Sequence, residues 1–410
     1  MPETKKPRIF YGYVIVLAAM CISIVMWGTR HSFGVFFEPV LEEFGWKRAV
    51  TAGGFSLSWI VTGLLSIIVG RLNDKFGPRV VMTAGGLLLC MGYLLMSRLN
   101  TIWQLYLFLG IVSISMTTVF VPLLSTVARW FVRMRALMSG IVLTSSGIAL
   151  MVILPIASQL ISSYGWRFSY IVIGCLAFVV VVPAAQLLRH NPGQMGLLPY
   201  GYNEVNSASL DLQHTGLSFQ EALKTRQLWL LSGIYFCTYF LFYNYSVHLI
   251  IHATGEGMPL TNAVSIMVVM GSAGIAGRVL MGFIADQVGS KVSMTISSGL
   301  LLIALFLPLV ARSLKILYLF GAMFGFGHGG LATMESPRTA EIFGMRSHGM
   351  LLGFVFFADT IGGAIGPFLA GYIFDATGSY SIAFSLCAAV GVVNFILILT
   401  LNPIRKLAMQ

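Results

Sequence analysis

Residues 70–79 read GRLNDKFGPR, and residues 282–291 read GFIADQVGSK. Glycine, aspartate, glycine and a closing cation recur at nearly the same spacing, 212 residues apart. The same offset relates Pro155 to Pro367. A two-fold internal repeat in a very apolar chain predicts two membrane bundles that face one central site, as in secondary transporters.

The composition indicates a membrane protein. Charged residues make up 10% of the 410 residues and apolar residues 57%, and the mean hydropathy is +0.87. A soluble domain carries roughly 25% charged residues, so the bilayer must solvate much of this chain. The positive-inside rule explains the net charge of +11, and no nucleic-acid partner is expected. The five cysteines show neither paired spacing nor a Cys/His cluster, so no disulfide, metal or other cofactor is predicted.

Twelve apolar runs predict twelve transmembrane helices, because polar backbone cannot face lipid unpaired. Their approximate extents are 10–38, 49–70, 79–97, 102–129, 135–162, 167–188, 226–250, 262–285, 291–310, 314–340, 348–374 and 380–402. The predicted fold is an all-α membrane protein with two pseudo-symmetric six-helix bundles. We expect the bundles at 1–188 and 226–410, joined by a polar cytoplasmic linker at 189–225. In that linker, Ser218 and Glu221 form a capping-box pattern that predicts a short helix.

Lysine and arginine are distributed unevenly between the two sides of the predicted membrane. With the N-terminus inside, seventeen lie in cytoplasmic segments: Lys5, Lys6, Arg8, Arg71, Lys75, Arg79, Arg129, Arg133, Arg135, Arg189, Lys224, Arg226, Lys291, Arg338, Arg346, Arg405 and Lys406. Six lie on the opposite side: Lys47, Arg48, Arg98, Arg167, Arg312 and Lys315. This bias predicts that both termini are cytoplasmic.

The segment at 70–79 resembles the signature loop between spans two and three of the major facilitator superfamily. GGAIGP at 362–367 resembles the glycine-proline motif of its gating helices. Within that superfamily, SFGVFF at 32–37, RWF at 129–131 and GWR at 165–167 resemble the bacterial monocarboxylate-porter and oxalate:formate-antiporter branch. The resemblance covers the whole chain and implies a transporter rather than an enzyme. It also implies a cavity lined by spans one, two, four, five, seven, eight, ten and eleven. We expect a monomer in the bacterial inner membrane.

The signature loop contains a candidate conformational latch. Asp74 lies at the cytoplasmic end of span two. It can accept from the N-terminal amides of a nearby helix, or pair with Arg135 at the start of span five. Such a contact would hold one conformation and break in the other. Asp286 repeats Asp74 in the second half, and Arg71 belongs to the same loop. The alternative is that Asp74 and its cations mark a solvated turn.

Arg278 is the strongest candidate for binding a substrate. An ionisable group inside a span costs about 2.5–3.5 kcal/mol, and therefore indicates a function. Arg278 lies roughly 11 Å from the cytoplasmic end of span eight, and arginine can hold a carboxylate through two parallel hydrogen bonds. The resemblance implies the same role, because an arginine in span eight binds the substrate carboxylate in this branch. The alternative is a structural arginine paired permanently within its bundle.

Asp359 lies at a similar depth in span eleven and is the candidate for proton coupling. The resembled porters have an aspartate four residues before the span-eight arginine, where this chain has Gly274. Oxalate exchangers carry a lysine in span eleven, which argues against a dianionic substrate here. We therefore hypothesise that Asp359 neutralises Arg278 without substrate and, once protonated, releases it to bind a monocarboxylate. The alternative is a fixed salt bridge with no proton role.

Arg30 and His31 are further candidates for substrate binding, near the outer end of span one. The resemblance aligns His31 with a functional lysine of the porters, and a histidine can follow a proton gradient. Adjacent helix residues point about 100° apart. Only one of the two is therefore expected to face the cavity, while the other reaches toward the outer surface.

Three other residues are candidates for the same site. His328 lies in the middle of span ten, where the sequence fits a cavity position and a packing histidine equally. Tyr243 and Asn244 in span seven map by the repeat onto the polar end of span one, so one of them is expected to contact substrate. Glu335 lies three residues before Arg338, which predicts an i,i+3 ion pair.

The sequence thus predicts a secondary transporter of small monocarboxylates, such as lactate, pyruvate or acetate, with protons as the expected coupling ion. Symport and antiport both remain open. One alternative is exchange of organic anions of the oxalate and formate type. Another is proton-driven efflux of amphipathic compounds, against which the cationic Arg278 and Arg30 argue. Nothing in the sequence resembles a catalytic triad, a P-loop or a metal-binding cluster.

Overall fold

A computed structural model describes residues 10–46, 48–202, 216–255, 257–310 and 313–402. In this part of the chain the regular elements are helices, accompanied by two isolated β-bridges. Several features of the sequence prediction lie outside the described residues: Lys5, Lys6, Arg8, Lys47, Arg312, Arg405, Lys406 and the polar stretch at 203–215.

The described helices confirm the predicted all-α, twelve-span fold. They are Tyr11–His31 and Phe33–Phe44 (span one), Arg48–Phe76 (two), Pro78–Met96 (three), Ile102–Trp130 (four), Arg135–Leu187 (five and six), Arg226–Gly255 (seven), Leu260–Val288 (eight), Ser290–Val310 (nine), Leu314–Phe343 (ten), His348–Thr377 (eleven) and Ser381–Thr400 (twelve). Among the described residues, eleven helical stretches are long and apolar enough to cross a membrane. One of them has 53 residues and supplies two spans.

Spans five and six are separated at Gly165. Its φ of 78° and ψ of 161° interrupt the helical backbone. A positive φ favours glycine because other residues have a Cβ that opposes this conformation. No atom lies within 4 Å of the place a Cβ would take, so backbone conformation rather than space requires the glycine. The chain therefore turns at this residue and re-enters the membrane.

The capping box predicted in the linker is confirmed. The Ser218 amide donates to Glu221 Oε2 at 2.7 Å, and the Glu221 amide donates to Ser218 Oγ at 3.3 Å. The short helix Phe219–Leu223 follows. These two reciprocal bonds satisfy amides that a helix start would otherwise leave without partners.

Each half of the chain has its own hydrophobic core. One core includes Ile22, Leu123 and Ile173, all at most 1% exposed, with neighbours drawn mainly from spans one to six. The other includes Leu241 and Phe324, both fully buried, with neighbours mainly from spans seven to twelve. Two cores in one chain are the packing that the internal repeat predicts.

The two halves touch at the end that carries the repeated loops. Span two packs on span eleven there, and span five packs on span eight. A Cβ on Gly70 would lie 2.2 Å from the carbonyl oxygen of Gly349, and a Cβ on Gly140 would lie 2.3 Å from that of Arg278. Glycine therefore permits two close backbone contacts between the halves. These contacts close this end of the interface.

Candidate functional site

A cavity of about 370 Å³ lies between the two halves. Its volume falls within the roughly 300–1,000 Å³ typical of small-molecule sites. Spans one, two, four, five, seven, eight, ten and eleven all contribute to its wall, which is the set that the family resemblance implies. The larger or polar side chains that line it are Trp27, His31, Trp59, Phe120, Leu143, Ser146, Leu150, Tyr239, Phe242, Tyr243, Ser246, Met267, Met270, Ile275, Arg278, His328, Phe356, Asp359 and Thr360.

Arg278 reaches the cavity from span eight and connects the two halves. Its Nη1 donates to the carbonyl oxygen of Leu143 at 2.8 Å and to Ser146 Oγ at 2.9 Å, both in span five. Its Nε has no hydrogen-bond partner among the described residues. The guanidinium is thus oriented by neutral acceptors and retains donor capacity for a ligand in the cavity.

The hypothesised ion pair between Asp359 and Arg278 is not formed in this conformation. Both side chains line the cavity. In the described part of the chain, however, no salt bridge joins them, and neither carboxylate oxygen of Asp359 has a donor. Arg278 bonds to span five instead of span eleven, so Asp359 does not neutralise it here.

Glu335 of span ten is the polar neighbour of Asp359. The Glu335 side chain is fully buried, Asp359 is 2% exposed, and the two carboxyl groups lie within hydrogen-bond reach of each other. The predicted pair of Glu335 with Arg338 is wrong. Arg338 pairs with Glu341 at 3.1 Å and also donates to Ser290 Oγ, because it turns toward the start of span nine.

Two histidines line the cavity, one from each half. His31 stacks on Trp27 with ring centroids 5.8 Å apart, and His328 stacks on Phe242 with centroids 4.0 Å apart. Tyr239 meets the ring of His328 edge-on at 5.5 Å. His328 Nε2 has no partner among the described residues. Aromatic contacts therefore fix this imidazole and leave Nε2 buried without a hydrogen bond from the described residues.

Arg30 lies behind the cavity wall, whereas its neighbour His31 forms part of that wall. The Cζ atom of Arg30 is 3.6 Å from the ring centroid of Trp59, which is a close cation–π contact. Trp59 lines the main cavity, where Tyr243 meets it edge-on at 5.6 Å. Arg30 instead borders a separate space of about 30 Å³ in the first half. Trp59 therefore separates Arg30 from the main cavity.

The structure thus gathers four of the six predicted binding residues at one site. Arg278, His31, His328 and Tyr243 line the cavity. Asn244 is buried outside it, and its Nδ2 donates to the carbonyl oxygen of Gly366 at 3.1 Å. Asn244 therefore connects span seven to span eleven.

Asp74 binds the N-terminus of span eleven. Its two carboxylate oxygens accept the backbone amides of Gly349 and Met350, both at 3.1 Å. Oδ1 also accepts from Arg129 Nη2 at 2.8 Å. A carboxylate is stabilised at this position by the two amides, by the helix dipole and by the guanidinium.

Asp286 makes the corresponding contact in the second half. It accepts from the amide of Ala136 at 3.0 Å and from that of Leu137 at 2.8 Å, at the N-terminus of span five. The described residues provide no salt bridge to Asp286. The contact with two helix-terminal amides is therefore repeated in both halves, whereas the salt bridge to an arginine is made by Asp74 alone among the described residues.

Arg135 does not pair with Asp74, which corrects one of the two alternatives drawn from the sequence. Its Nε donates to the carbonyl oxygens of Ala128 and Phe131, both at 3.0 Å, so it binds the C-terminus of span four. Arginine is well placed there because the last carbonyls of a helix lack intrahelical donors. Arg71 is exposed near the end of the span-two helix.

Sequence reasoning missed the contacts of Arg129 and Glu335. The sequence shows Arg129 as one cation of the predicted cytoplasmic face and as part of the RWF motif at 129–131, and neither feature specifies its partner. The 212-residue offset maps it onto Glu341, a residue of opposite charge, and this break in the repeat was the available signal. Glu335 lies three residues before Arg338, which favours the prediction of a local ion pair. The sequence gives no sign of its contact with Asp359 in span eleven.

The twelve-span fold with a central cavity between two halves defines a membrane transporter. The sequence model described as Major Facilitator Superfamily matches residues 15–307 and 273–408. The chain therefore belongs to the Major Facilitator Superfamily, as a multi-pass membrane transporter rather than an enzyme.

Monocarboxylate transporters of animals are similar to the chain over nearly its whole length. Monocarboxylate transporter 13 of Rattus norvegicus is 28% identical over 390 residues, which cover 94% of this chain and 88% of that protein. The Bos taurus protein of the same name is 29% identical over 393 residues, covering 92% and 86%. Monocarboxylate transporter 12 of Homo sapiens is 26% identical over 409 residues, covering 94% and 79%.

Solved structures of other transporters share the fold. The human organic anion transporter MFSD10 superimposes with a TM-score of 0.73 at 14% sequence identity, covering 96% of this chain and all of that one. The E. coli fucose:proton symporter FucP gives a TM-score of 0.70 at 15% identity, with the same coverage. At these identities the likeness shows the fold alone.

Proposed function

We propose that the protein transports small monocarboxylates of the lactate, pyruvate and acetate class together with protons. The observation that carries the proposal is Arg278, a cation with an unused donor in a mostly apolar cavity between the halves, whose other ionisable side chains include Asp359 and two histidines. One arginine in apolar surroundings suits an anion with one carboxylate and a small apolar body. The similarity to monocarboxylate transporters supports the same substrate class.

Substrate binding at Arg278 would involve both halves of the protein. Leu143 and Ser146 hold Nη1, and the remaining donors of the guanidinium are left for a carboxylate. A carboxylate bound there contacts span eight while the same side chain contacts span five. A ligand shifts a conformational equilibrium only when it binds the two conformations with different affinity. Because Arg278 contacts span five in this conformation, a carboxylate bound to it would have different neighbours once the halves move apart. His31, His328 and Tyr243 would contact the body of the substrate.

Asp359 is the group we assign to proton coupling. It lines the same cavity as Arg278 and has no donor among the described residues. A proton on Asp359 would remove a negative charge from the cavity when a monoanion enters. A lysine at this depth would favour a second carboxylate on the substrate, whereas an acidic group disfavours it.

We further propose that both termini lie in the cytoplasm and that the protein resides in a plasma membrane, so the closed end faces inward. The distribution of lysine and arginine supports this orientation. Lys224 lies exposed in the linker. A cysteine introduced by Lys224→Cys should react with a membrane-impermeant thiol reagent only after permeabilisation. Labelling of intact cells would contradict this orientation.

Uptake into proteoliposomes tests the substrate and the coupling together. Labelled acetate, lactate, pyruvate, formate and oxalate would be offered with and without an inward pH gradient of about one unit. One-to-one proton coupling supports about tenfold accumulation, because one pH unit corresponds to about 1.4 kcal/mol. Protein-free liposomes control for passive entry of the acids. A preference for oxalate, or uptake that ignores the pH gradient, would contradict the proposal.

A further inference from the structure

Two buried carboxyl groups meet between spans ten and eleven. Glu335 is fully buried and Asp359 is 2% exposed, and their carboxyl groups lie within hydrogen-bond reach. None of their four oxygens has a donor among the described residues. A buried carboxylate normally accepts two or more hydrogen bonds, as Asp74 does at the closed end. The four carboxyl oxygens of the pair therefore lack a hydrogen-bond donor.

The side chains around the pair do not supply this donor. Span seven presents Tyr235 and Tyr239, and the hydroxyl of Tyr235 donates to the carbonyl oxygen of Leu331 at 3.1 Å. Tyr239 makes no hydrogen bond to either carboxyl group within the described residues. Tyr243 of span seven also faces Asp359 across the cavity and donates to neither carboxyl group within the described residues. The nearest charged groups are Arg338 and Arg278.

Both nearby arginines are engaged elsewhere. Arg338, on the same helix as Glu335, pairs with Glu341 and donates to Ser290 Oγ. Arg278, across the cavity, donates to span five. Neither forms a salt bridge with the pair in the described part of the chain. Two ionised carboxylates in contact would therefore repel one another without compensation in a medium of low dielectric constant.

We propose that Glu335 and Asp359 form a single proton-binding site, which protons reach from the substrate cavity through Asp359. One proton taken from cavity water forms an O–H bond on one carboxyl group and a hydrogen bond to the other. It changes the charge of the pair from two negative charges to one. Paired carboxyl groups in contact hold a shared proton for this reason.

The position of the pair connects this proton to the substrate. Asp359 lines the cavity, while Glu335 lies behind it and does not contribute to the cavity wall. Asp359 can exchange protons with cavity water, and Glu335 sets how firmly the pair holds them. The transport role of the pair rests on the proposed function, whereas its bound proton does not depend on any substrate.

Infrared spectroscopy of the purified protein in lipid tests the bound proton without substrate. At neutral pH the native protein should show the carbonyl stretch of a protonated carboxyl group that the double variant Glu335→Gln/Asp359→Asn lacks. The variant Glu341→Gln removes a carboxyl group from the same helix and should retain the band. If the double variant does not fold, the single variants Glu335→Gln and Asp359→Asn replace it in this test. Each preserves the shape of the pair, and each should alter the band. Absence of the band in the native protein, or its persistence unchanged in all variants, would overturn the proposal.

Transport by Glu335→Gln then tests the role of the pair in coupling. The quantity compared is substrate accumulation under a pH gradient of about one unit, divided by the rate of substrate exchange without a gradient. This ratio should fall about tenfold, because a gradient of one pH unit can drive at most about tenfold accumulation. KM should change little, because Glu335 does not line the cavity. Glu341→Gln is the matched control and should keep the native ratio. A native ratio in Glu335→Gln would contradict the coupling role.

If the native protein does not transport monocarboxylates but shows the infrared band, the proposed function fails and the proton site stands.

Discussion

Asp74 and Asp286 at the closed end differ sharply from Asp359 in the cavity. The first two each accept two backbone amides at the start of a helix, at 2.8 to 3.1 Å. Asp359 accepts from no donor within the described residues. Amides and a helix dipole stabilise a negative charge, whereas an unsatisfied buried carboxyl group requires a proton or a ligand. We therefore propose that the closed end holds one conformation, whereas the cavity carries the groups that bind a proton and a substrate.

The largest effect that this comparison predicts is at the cavity. Arg278→Ala should lower kcat/KM for monocarboxylate uptake by about 100-fold or more, because two charge-assisted hydrogen bonds of about 1.5–3 kcal/mol each are lost. Arg278→Lys keeps the charge without the planar fork and should recover only part of the activity. Labelled uptake into proteoliposomes measures both. Activity of the alanine variant within about threefold of the native protein would exclude Arg278 as the carboxylate anchor.

A smaller effect should distinguish the two latch residues from one another. Asp74→Asn leaves Arg129 without its counter-ion, and removing one partner of this partly buried pair, each side chain 14% exposed, should cost up to about 3 kcal/mol. Asp286→Asn loses only the charge that two amides and a helix dipole stabilise, about 1–2 kcal/mol. The thermal midpoint of unfolding should therefore fall further in Asp74→Asn.

The same pair of variants can be compared by the opening of the closed end. Ser66 Oγ donates to the carbonyl oxygen of Gly353 across the halves, at 2.7 Å. In a Ser66→Cys background, Asp74→Asn should increase thiol reactivity more than Asp286→Asn does. Equal effects of the two substitutions on stability and reactivity would mean that Arg129 adds nothing to the contact.

The smallest effect is expected at Arg71, which belongs to the same loop as Asp74. Its side chain is exposed, and substitutions at exposed positions usually change stability by no more than about 0.5 kcal/mol. Arg71→Ala should therefore change the uptake rate less than about twofold. A loss comparable to that of Asp74→Asn would show that the whole loop, rather than Asp74 alone, holds the closed end.

The membrane fold could be predicted from the sequence because its signals are local. Hydropathy and length identify each span, and the repeated loops identify the two halves. The amide contact of Asp74 was one of two alternatives because a carboxylate near a helix start is a common arrangement. The 100° between adjacent helix residues also predicted that only one of Arg30 and His31 faces the cavity, and His31 does. The expectation that the other reaches the outer surface was wrong, because Arg30 is buried against Trp59.

The partners of buried charges could not be predicted from the sequence. Asp359 and Arg278 lie at similar depths, and depth along a helix does not specify which neighbour a side chain meets. Span ten turns Glu335 toward span eleven, while Arg278 reaches span five. Helix rotation and packing across the halves decide these contacts, and neither is encoded in residue spacing along a single span.

Proton movement driven by substrate tests the central claim, that Asp359 binds the proton that accompanies a carboxylate bound at Arg278. Proteoliposomes containing a trapped pH indicator would receive an inward lactate gradient without an initial pH gradient, alongside protein-free liposomes. We predict that the native protein acidifies the lumen faster than the protein-free control. Asp359→Asn should exchange labelled lactate without acidifying the lumen. Acidification by Asp359→Asn at the native rate would contradict the claim.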